Sequence, residues 1–456
     1  MNYPYNYIKE FLMSKFQIVK ISNFLKSREE RYKPDDTALS GLKRLDKIDF
    51  NGNIHQSEKP TKTDMIIVYP GDLVISGINV QKGAIAVYQG KEPITATIHY
   101  SSYTFDRNKI DIEYFKRFLK SPEFLKALQE QVKGGIKTEI KPKTFLPIEI
   151  KLPDLIEQQK INKYFDSFEQ ELRELKSELN NQEKYITQLK QAILQEAISG
   201  QLTAEWRKQN PNQKGDPNTD ATALLAKIKA EKQQLINDGK LKKEKKQDSI
   251  LESSLLIPNT WENPLLGDIT EQITDGTHQT PNYVSNGKTF LSAQNVKPFR
   301  FIPENHRYIT EQAFLDYRKN RTPERGDLLI ARVGAGIGET AVIDQNIEFA
   351  FYVSLALVKV FKELTNPDYL AVVCNSPYGV QYAKGNVSSN GVSAGNYNLG
   401  RIRSFKIPLP PLAEQKAIVE KVDYLMKIID QLEAQIKHRK QLAEDLMQTV
   451  LREAFV

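Results

Sequence analysis

Cysteine is almost missing from this 456-residue chain: Cys374 stands alone. A single thiol excludes a disulfide within the chain and any thiolate metal cluster, and a cytoplasmic setting is the natural expectation. Histidine is scarce as well. The five, at positions 55, 99, 278, 306 and 438, do not cluster, so no metal site is expected. No apolar run reaches the roughly 18 residues of a membrane span, and the first residues lack a basic-then-apolar signal pattern. There is no Gly-x-Ser-x-Gly elbow, no P-loop and no Asp/Asn-Pro-Pro-aromatic tetrapeptide of the kind used by amino-methyltransferases. The chain offers no catalytic constellation, which argues against a stand-alone methyltransferase or nuclease.

What is present is ordinary in composition and unusual in arrangement. Hydrophobic residues make up 40% and charged residues 27%, so nothing points away from a globular protein of two or three domains. The net charge of +7 permits a nucleic-acid partner without establishing one. The arrangement is a repeat. Leu152-Pro153-Asp154-Leu155-Ile156-Glu157-Gln158 returns 257 positions later as Leu409-Pro410-Pro411-Leu412-Ala413-Glu414-Gln415.

Each copy opens a stretch without Gly or Pro whose apolar residues alternate in steps of three and four, the mark of a coiled-coil seam. The first seam runs Ile161, Phe165, Phe168, Leu172, Leu175, Leu179, Gln182, Ile186, Leu189, Ile193. The second runs Ile418, Val422, Leu425, Ile429, Leu432, Ile436, Arg439, Ala443, Leu446, Val450. A helix over Leu155–Ile198 would be roughly 66 Å long at ~1.5 Å per residue. Such a rod needs a partner for its stripe, and the simplest partner is the other copy.

Residues 1–152 read as a mixed, mostly β domain with one helical stretch, Asp111 to Gln131, and renewed alternation from Lys143 to Leu152. Residues 153–199 form the first spacer helix. Residues 200–255 are a linker with a short helix over Ala221–Asn237, followed by a lysine run read as solvated linker. Residues 256–409 repeat the first domain. Gly71-Asp72-Leu73-Val74-Ile75 matches Gly326-Asp327-Leu328-Leu329-Ile330, and Ser121-Pro122 matches Ser376-Pro377, both at an offset of 255. Residues 410–456 form the second helix. The expected fold is α+β: two mixed, mostly β domains separated by an antiparallel pair of long coiled-coil helices, pseudo-two-fold symmetric.

Gly334-Ala335-Gly336-Ile337-Gly338 looks like a phosphate cradle, but a cradle needs a helix next. Thr340-Ala341-Val342-Ile343 favours a strand instead, so a hairpin turn is expected. Polar and basic residues on predicted loops are the candidates for DNA contact, since Arg, Asn and Gln read base edges and Lys meets phosphate. In the first domain these are Ser76, Asn79, Gln81, Lys82, Lys137, Lys141 and Lys143. In the second they are Thr277, His278, Gln279, Arg332, Asn390, Ser393, Asn396, Tyr397 and Arg401. Taken singly, each reads more readily as a solvated loop residue.

The duplicated Leu-Pro-x-Leu-x-Glu-Gln and Gly-Asp-Leu-x-Ile fragments resemble the specificity subunit of a type I restriction-modification system. So do Asp275-Gly276-Thr277-His278 with Phe290-Leu291-Ser292, and Gly200-Gln201-Leu202-Thr203-Ala204-Glu205-Trp206-Arg207 after the first helix. The likeness covers essentially the whole chain. It implies two target recognition domains, each binding one half of a bipartite double-stranded DNA site, and no enzyme activity in this chain. It also implies two methylation subunits carrying S-adenosylmethionine, restriction subunits that use ATP and Mg, and no membrane partner. The first domain departs from the pattern, with Ser27-Arg28-Glu29-Glu30-Arg31 roughly where the second has its Asp-Gly-Thr-His turn. The competing reading is a coiled-coil scaffold that binds protein without sequence-specific DNA binding.

Overall fold

The computed structural model describes residues 16–131, 140–241, 255–319, 321–388 and 396–455, with the side chains of Gln81, Ser388 and 451–454 left aside. Lys137, Asn390, Ser393 and most of the linker lysine run lie outside the described residues. The described chain forms two compact units. One holds the residues up to Asn181 together with those from Ile436 on; the other is Gln182–Gln435.

In the first unit a four-stranded antiparallel sheet has the order Leu25–Ser27, Tyr100–Phe105, Leu73–Ser76, Ile85–Val87. In the second, the same order recurs as Thr270–Asp275, Leu355–Val360, Leu328–Ala331, Thr340–Val342. The last three strands of each set are 255 positions apart, residue for residue. The Gly-Asp-Leu match has a physical basis. Gly71 and Gly326 have φ of 87° and 89°, a left-handed turn that glycine adopts without strain. The next aspartate is buried and accepts the backbone N–H three residues back, from Tyr69 to Asp72 (3.0 Å) and from Glu324 to Asp327 (2.9 Å).

A second four-stranded sheet differs between the units. In the first it is Ile54–Ser57, Arg44–Ile48, Ile94–Thr97, Met65–Val68; in the second it is Tyr283–Val284, Arg307–Ile309, Lys288–Leu291, Phe349–Phe351. The expected turn at Gly334–Gly338 is a hairpin: Leu328–Ala331 pairs antiparallel with Thr340–Val342. The single helical stretch expected over Asp111–Gln131 is two helices, Ile112–Phe118 and Pro122–Gln131. Ser121 stops the first, and its hydroxyl accepts the Phe124 N–H to start the second, with Pro122 in the first turn. Ser376 and Pro377 repeat the device at Pro377–Gly385. The alternation expected from Lys143 is also corrected. Pro142–Phe145 is a helical turn, and only Glu149–Leu152 is a strand.

The long helices span Leu155–Ile198 and Leu412–Ala454, and the boundary between the units falls inside both. Within the first unit Lys440 Nζ donates to Asn180 Oδ1 (2.7 Å), and the Phe455 ring stacks on Phe165 (centroids 5.8 Å). Within the second, Lys190 pairs with Glu433 (2.9 Å), and Lys421 Nζ donates to the Leu202 carbonyl (2.9 Å). One helix's numbers rise as its partner's fall, so the pair is antiparallel.

The seam is narrower than the stripe read from sequence. Every seventh residue is buried: Phe165, Leu172, Leu179, Ile186, Ile193 on one helix, and Val422, Ile429, Ile436, Ala443, Val450 on the other. The alternate row is buried only at its first positions, Ile161 and Ile418. Phe168, Leu175 and Leu425 are half-buried, while Leu189, Leu432 and Leu446 are 40–46% exposed. Two helices meeting along one line cover one row of side chains; the flanking row is left at the margin of the contact.

The helix-opening motif is a clamp between helix and domain. Gln158 is fully buried; its Oε1 accepts the Asp111 N–H (2.7 Å) and its Nε2 donates to the Pro153 carbonyl (2.8 Å). Gln415 repeats both bonds, to the Asn366 N–H (2.9 Å) and the Pro410 carbonyl (3.0 Å). Asp111 and Asn366 in turn cap the domain helices that begin at Ile112 and Pro367. The glutamate beside each glutamine behaves differently. Glu414 is buried and bonded by Thr203 (2.7 Å), Arg207 (3.0 Å) and Trp261 (2.8 Å), which is why the Thr203-to-Arg207 tail carries those residue types. Glu157 pairs with Lys160 (2.9 Å), its one ion pair among the described residues.

Candidate nucleic-acid interface

In the second unit the candidates gather around one arginine. The strand Leu328–Ala331 delivers Arg332 into the domain, where it is 4% exposed. Its Nε donates to the Tyr397 carbonyl (3.0 Å), and one terminal nitrogen to Asp275 Oδ2 (2.7 Å) and the Val353 carbonyl (2.9 Å). A guanidinium so deep needs this set of acceptors. Arg332 therefore holds the turn together and does not present its own side chain to solvent. The same Asp275 oxygen contacts the exposed His278 Nε2 at 3.1 Å. Thr277 is buried, its N–H and carbonyl bonded to Phe351 and Val353; its hydroxyl accepts the N–H of the exposed Gln279. Of the turn, His278 and Gln279 reach the surface.

Tyr397 is likewise buried, pairing with Val387 and packing edge-on to Tyr382 (6.3 Å). Burial in this apolar setting pushes its phenol well above the ordinary range. Asn396 and Arg401 are half-buried beside it.

In the first unit Ser76 is buried at the end of its strand. Asn79 is half-buried in the turn that follows; Lys82 is exposed, its ammonium 5.8 Å from the Phe50 ring centre. Gln81 lies in the same turn. Lys141 and Lys143 are exposed and stand across an open cleft of about 590 Å³ from Arg28, Glu29 and Arg31. Arg28 is already engaged: it grips Asp72 through two bonds (2.6 and 3.0 Å) and lies 4.4 Å over the Tyr69 ring. That carboxylate holds the guanidinium's pKa above its usual value. Arg31 was not singled out from sequence, because the cleft that gathers it with Lys141 and Lys143 is made by segments more than a hundred residues apart.

Among the described residues no group of His, Cys, Asp and Glu has the arrangement of a metal site. No helix among them is long and apolar enough to cross a membrane.

Residues 258–439 match the family described as the Type I restriction modification DNA specificity domain. The chain is 21% identical over 391 residues to the type I restriction enzyme EcoBI specificity subunit of Escherichia coli, covering 85% of this chain and 73% of that one. With the EcoAI specificity subunit of the same organism it shares 28% over 288 residues, 58% of this chain and 44% of the relative. The crystal structure of the HsdS subunit from Thermoanaerobacter tengcongensis superposes with a TM-score of 0.53 at 16% identity, over 96% of each chain. A chain from a study of complex assembly and conformational transition in the type I R-M system gives 0.60, also at 16%, over 96% of this chain and 97% of that one. The fold is thus shared with these proteins.

Proposed function

We propose that this chain, which over residues 258–439 matches the family described as the Type I restriction modification DNA specificity domain, is the sequence-specific DNA-recognition subunit of a type I restriction-modification complex. It supplies recognition and no catalysis. Each β-rich domain reads one half of a bipartite double-stranded DNA target. The observation that carries this reading is the duplicated clamp. Gln158 and Gln415 fix two domains of the same sheet order to two paired helices through the same two hydrogen bonds. Two equivalent mounts carrying divergent second sheets suit two readers of different sequence.

Exposed apolar residues on and beside the seam support the partners. Tyr185 and Leu189 are exposed at 64% and 45%, and Leu442 and Leu446, 257 positions later, at 51% and 46%. A matching apolar pair on each helix suits two copies of one partner, the methylation subunit. That subunit would carry S-adenosylmethionine and methylate adenine N6; restriction subunits with ATP and Mg would join through it, in the cytoplasm.

DNA binding by the chain with its methylation partner tests the reading. A bipartite duplex should be preferred over scrambled ones, and affinity should fall steeply with salt. Equal binding to all duplexes would favour the protein-only scaffold.

A further inference from the structure

The open cleft of the first unit is the place that Arg332 fills in the second. Three backbone features establish the equivalence. Gly77 N–H donates to the His99 carbonyl (2.9 Å) as Arg332 N–H donates to Ser354 (2.9 Å), 255 positions on. Ile140 N–H donates to the Gly77 carbonyl (2.7 Å) as Tyr397 N–H donates to Arg332 (2.9 Å). Ser27 pairs with Tyr103 as Ile273 pairs with Val358, which sets Glu29 at the position of Asp275. The three acceptors of the Arg332 guanidinium, on Asp275, Val353 and Tyr397, thus correspond to Glu29, Ile98 and Ile140. All three line the cleft. Where the second unit has an arginine, the first has Gly77 and no side chain.

We propose that this vacated socket reads a base in the first half-site. Glu29 accepts from the exocyclic amino group of a cytosine on the major-groove edge, and Arg31, Lys141 and Lys143 meet the flanking phosphates. The proposal rests on the DNA-reading function above. Glu29 is exposed and forms no ion pair within the described residues, so its carboxylate is available as an acceptor. A carboxylate is the side chain that takes a hydrogen bond from the cytosine amino group. The cationic rim favours a polyanion over the other group that would fit such acceptors, an arginine from a protein partner.

The test uses the full chain with its methylation partner and a set of bipartite duplexes varied one base pair at a time. Glu29→Ala should reduce discrimination at one position of the first half-site by roughly 5- to 150-fold and leave the second half-site unchanged. Gly77→Arg, which supplies the arginine that the second unit carries, should fill the socket and give the same local loss. Gly77 is not among the residues with positive φ, so the backbone tolerates a side chain there. Arg31→Ala with Lys143→Ala should weaken binding to every duplex alike and lower the salt slope by about 0.9 per cation removed. Unaltered first-half-site preference in both Glu29→Ala and Gly77→Arg, with thermal unfolding as in the parent, overturns the proposal. Loss of assembly with the methylation subunit in place of base preference also overturns it and makes the cleft a protein socket. A parent complex with no sequence preference at all would instead sink the DNA-reading function itself.

Discussion

Single residues decide how each domain is mounted. Gln158 and Gln415, themselves fully buried, each satisfy one backbone N–H and one backbone carbonyl. Replacing either by Ala leaves those groups unpaired, and a loss of about 1–3 kcal/mol is expected in chemical denaturation. Glu414→Ala should cost about 3 kcal/mol or more, since it strands the Arg207 charge along with the Trp261 and Thr203 donors. Cys374 and Tyr369 give the fold a pH limit. Burial pushes the thiol up to about 12 and the phenol well above its ordinary value. A group whose folded pKa is raised stabilises the fold below its unfolded pKa and loses that contribution as pH climbs through the folded value. The unfolding free energy should therefore fall from about pH 9 to about 12 through the thiol, by up to ~1.4 kcal/mol per pH unit, with Tyr369 adding to the fall from about pH 10 upward. Cys374→Ala should flatten that slope; an identical slope would show that the thiol does not contribute.

At the scale of elements, the long helices separate two tasks on one stripe. Leu179 is fully buried on the seam, whereas Leu189 is 45% exposed. Leu179→Ala should cost about 2–5 kcal/mol. Leu189→Ala should change the unfolding midpoint little and weaken association with the methylation subunit, measured by titration. If both variants unfold alike, the exposed row is stabilising the chain and is not a docking surface. The heptad pattern was legible in the sequence because the spacing of apolar residues sets which face of a helix is apolar. The loss of burial in the alternate row beyond Ile161 and Ile418 was not, since it depends on how many partners cover that face.

For the whole molecule the prediction concerns spacing. Seven residues inserted at matched points in both long helices keep the heptad phase and add about 10 Å of helix, some three base pairs of DNA. The gap between half-sites in the methylated target should lengthen, with both half-site sequences unchanged. Altered half-sites with an unchanged gap would show that the helices do not set the spacing. The repeat that prompts this experiment was visible as offsets of 257 and 255. The second sheet of each domain was not, because Arg44–Ile48 and Lys288–Leu291 have no matching sequence and are related only by their parallel pairing to Ile94–Thr97 and Phe349–Phe351.

The sequence by itself determined the duplicated order of elements, the two long helices, their coiled-coil periodicity and the hairpin at Gly334–Gly338. Each of these follows from local spacing or from self-similarity along the chain. Tertiary structure alone decided which polar residues face solvent. Arg332 and Glu29 look alike as charged loop residues. One is buried by three acceptors drawn from segments far apart in the chain, and the other lines a cleft at the equivalent place, where Gly77 stands at the arginine's position. Burial is set by neighbours far along the chain, and no pattern within a segment encodes it.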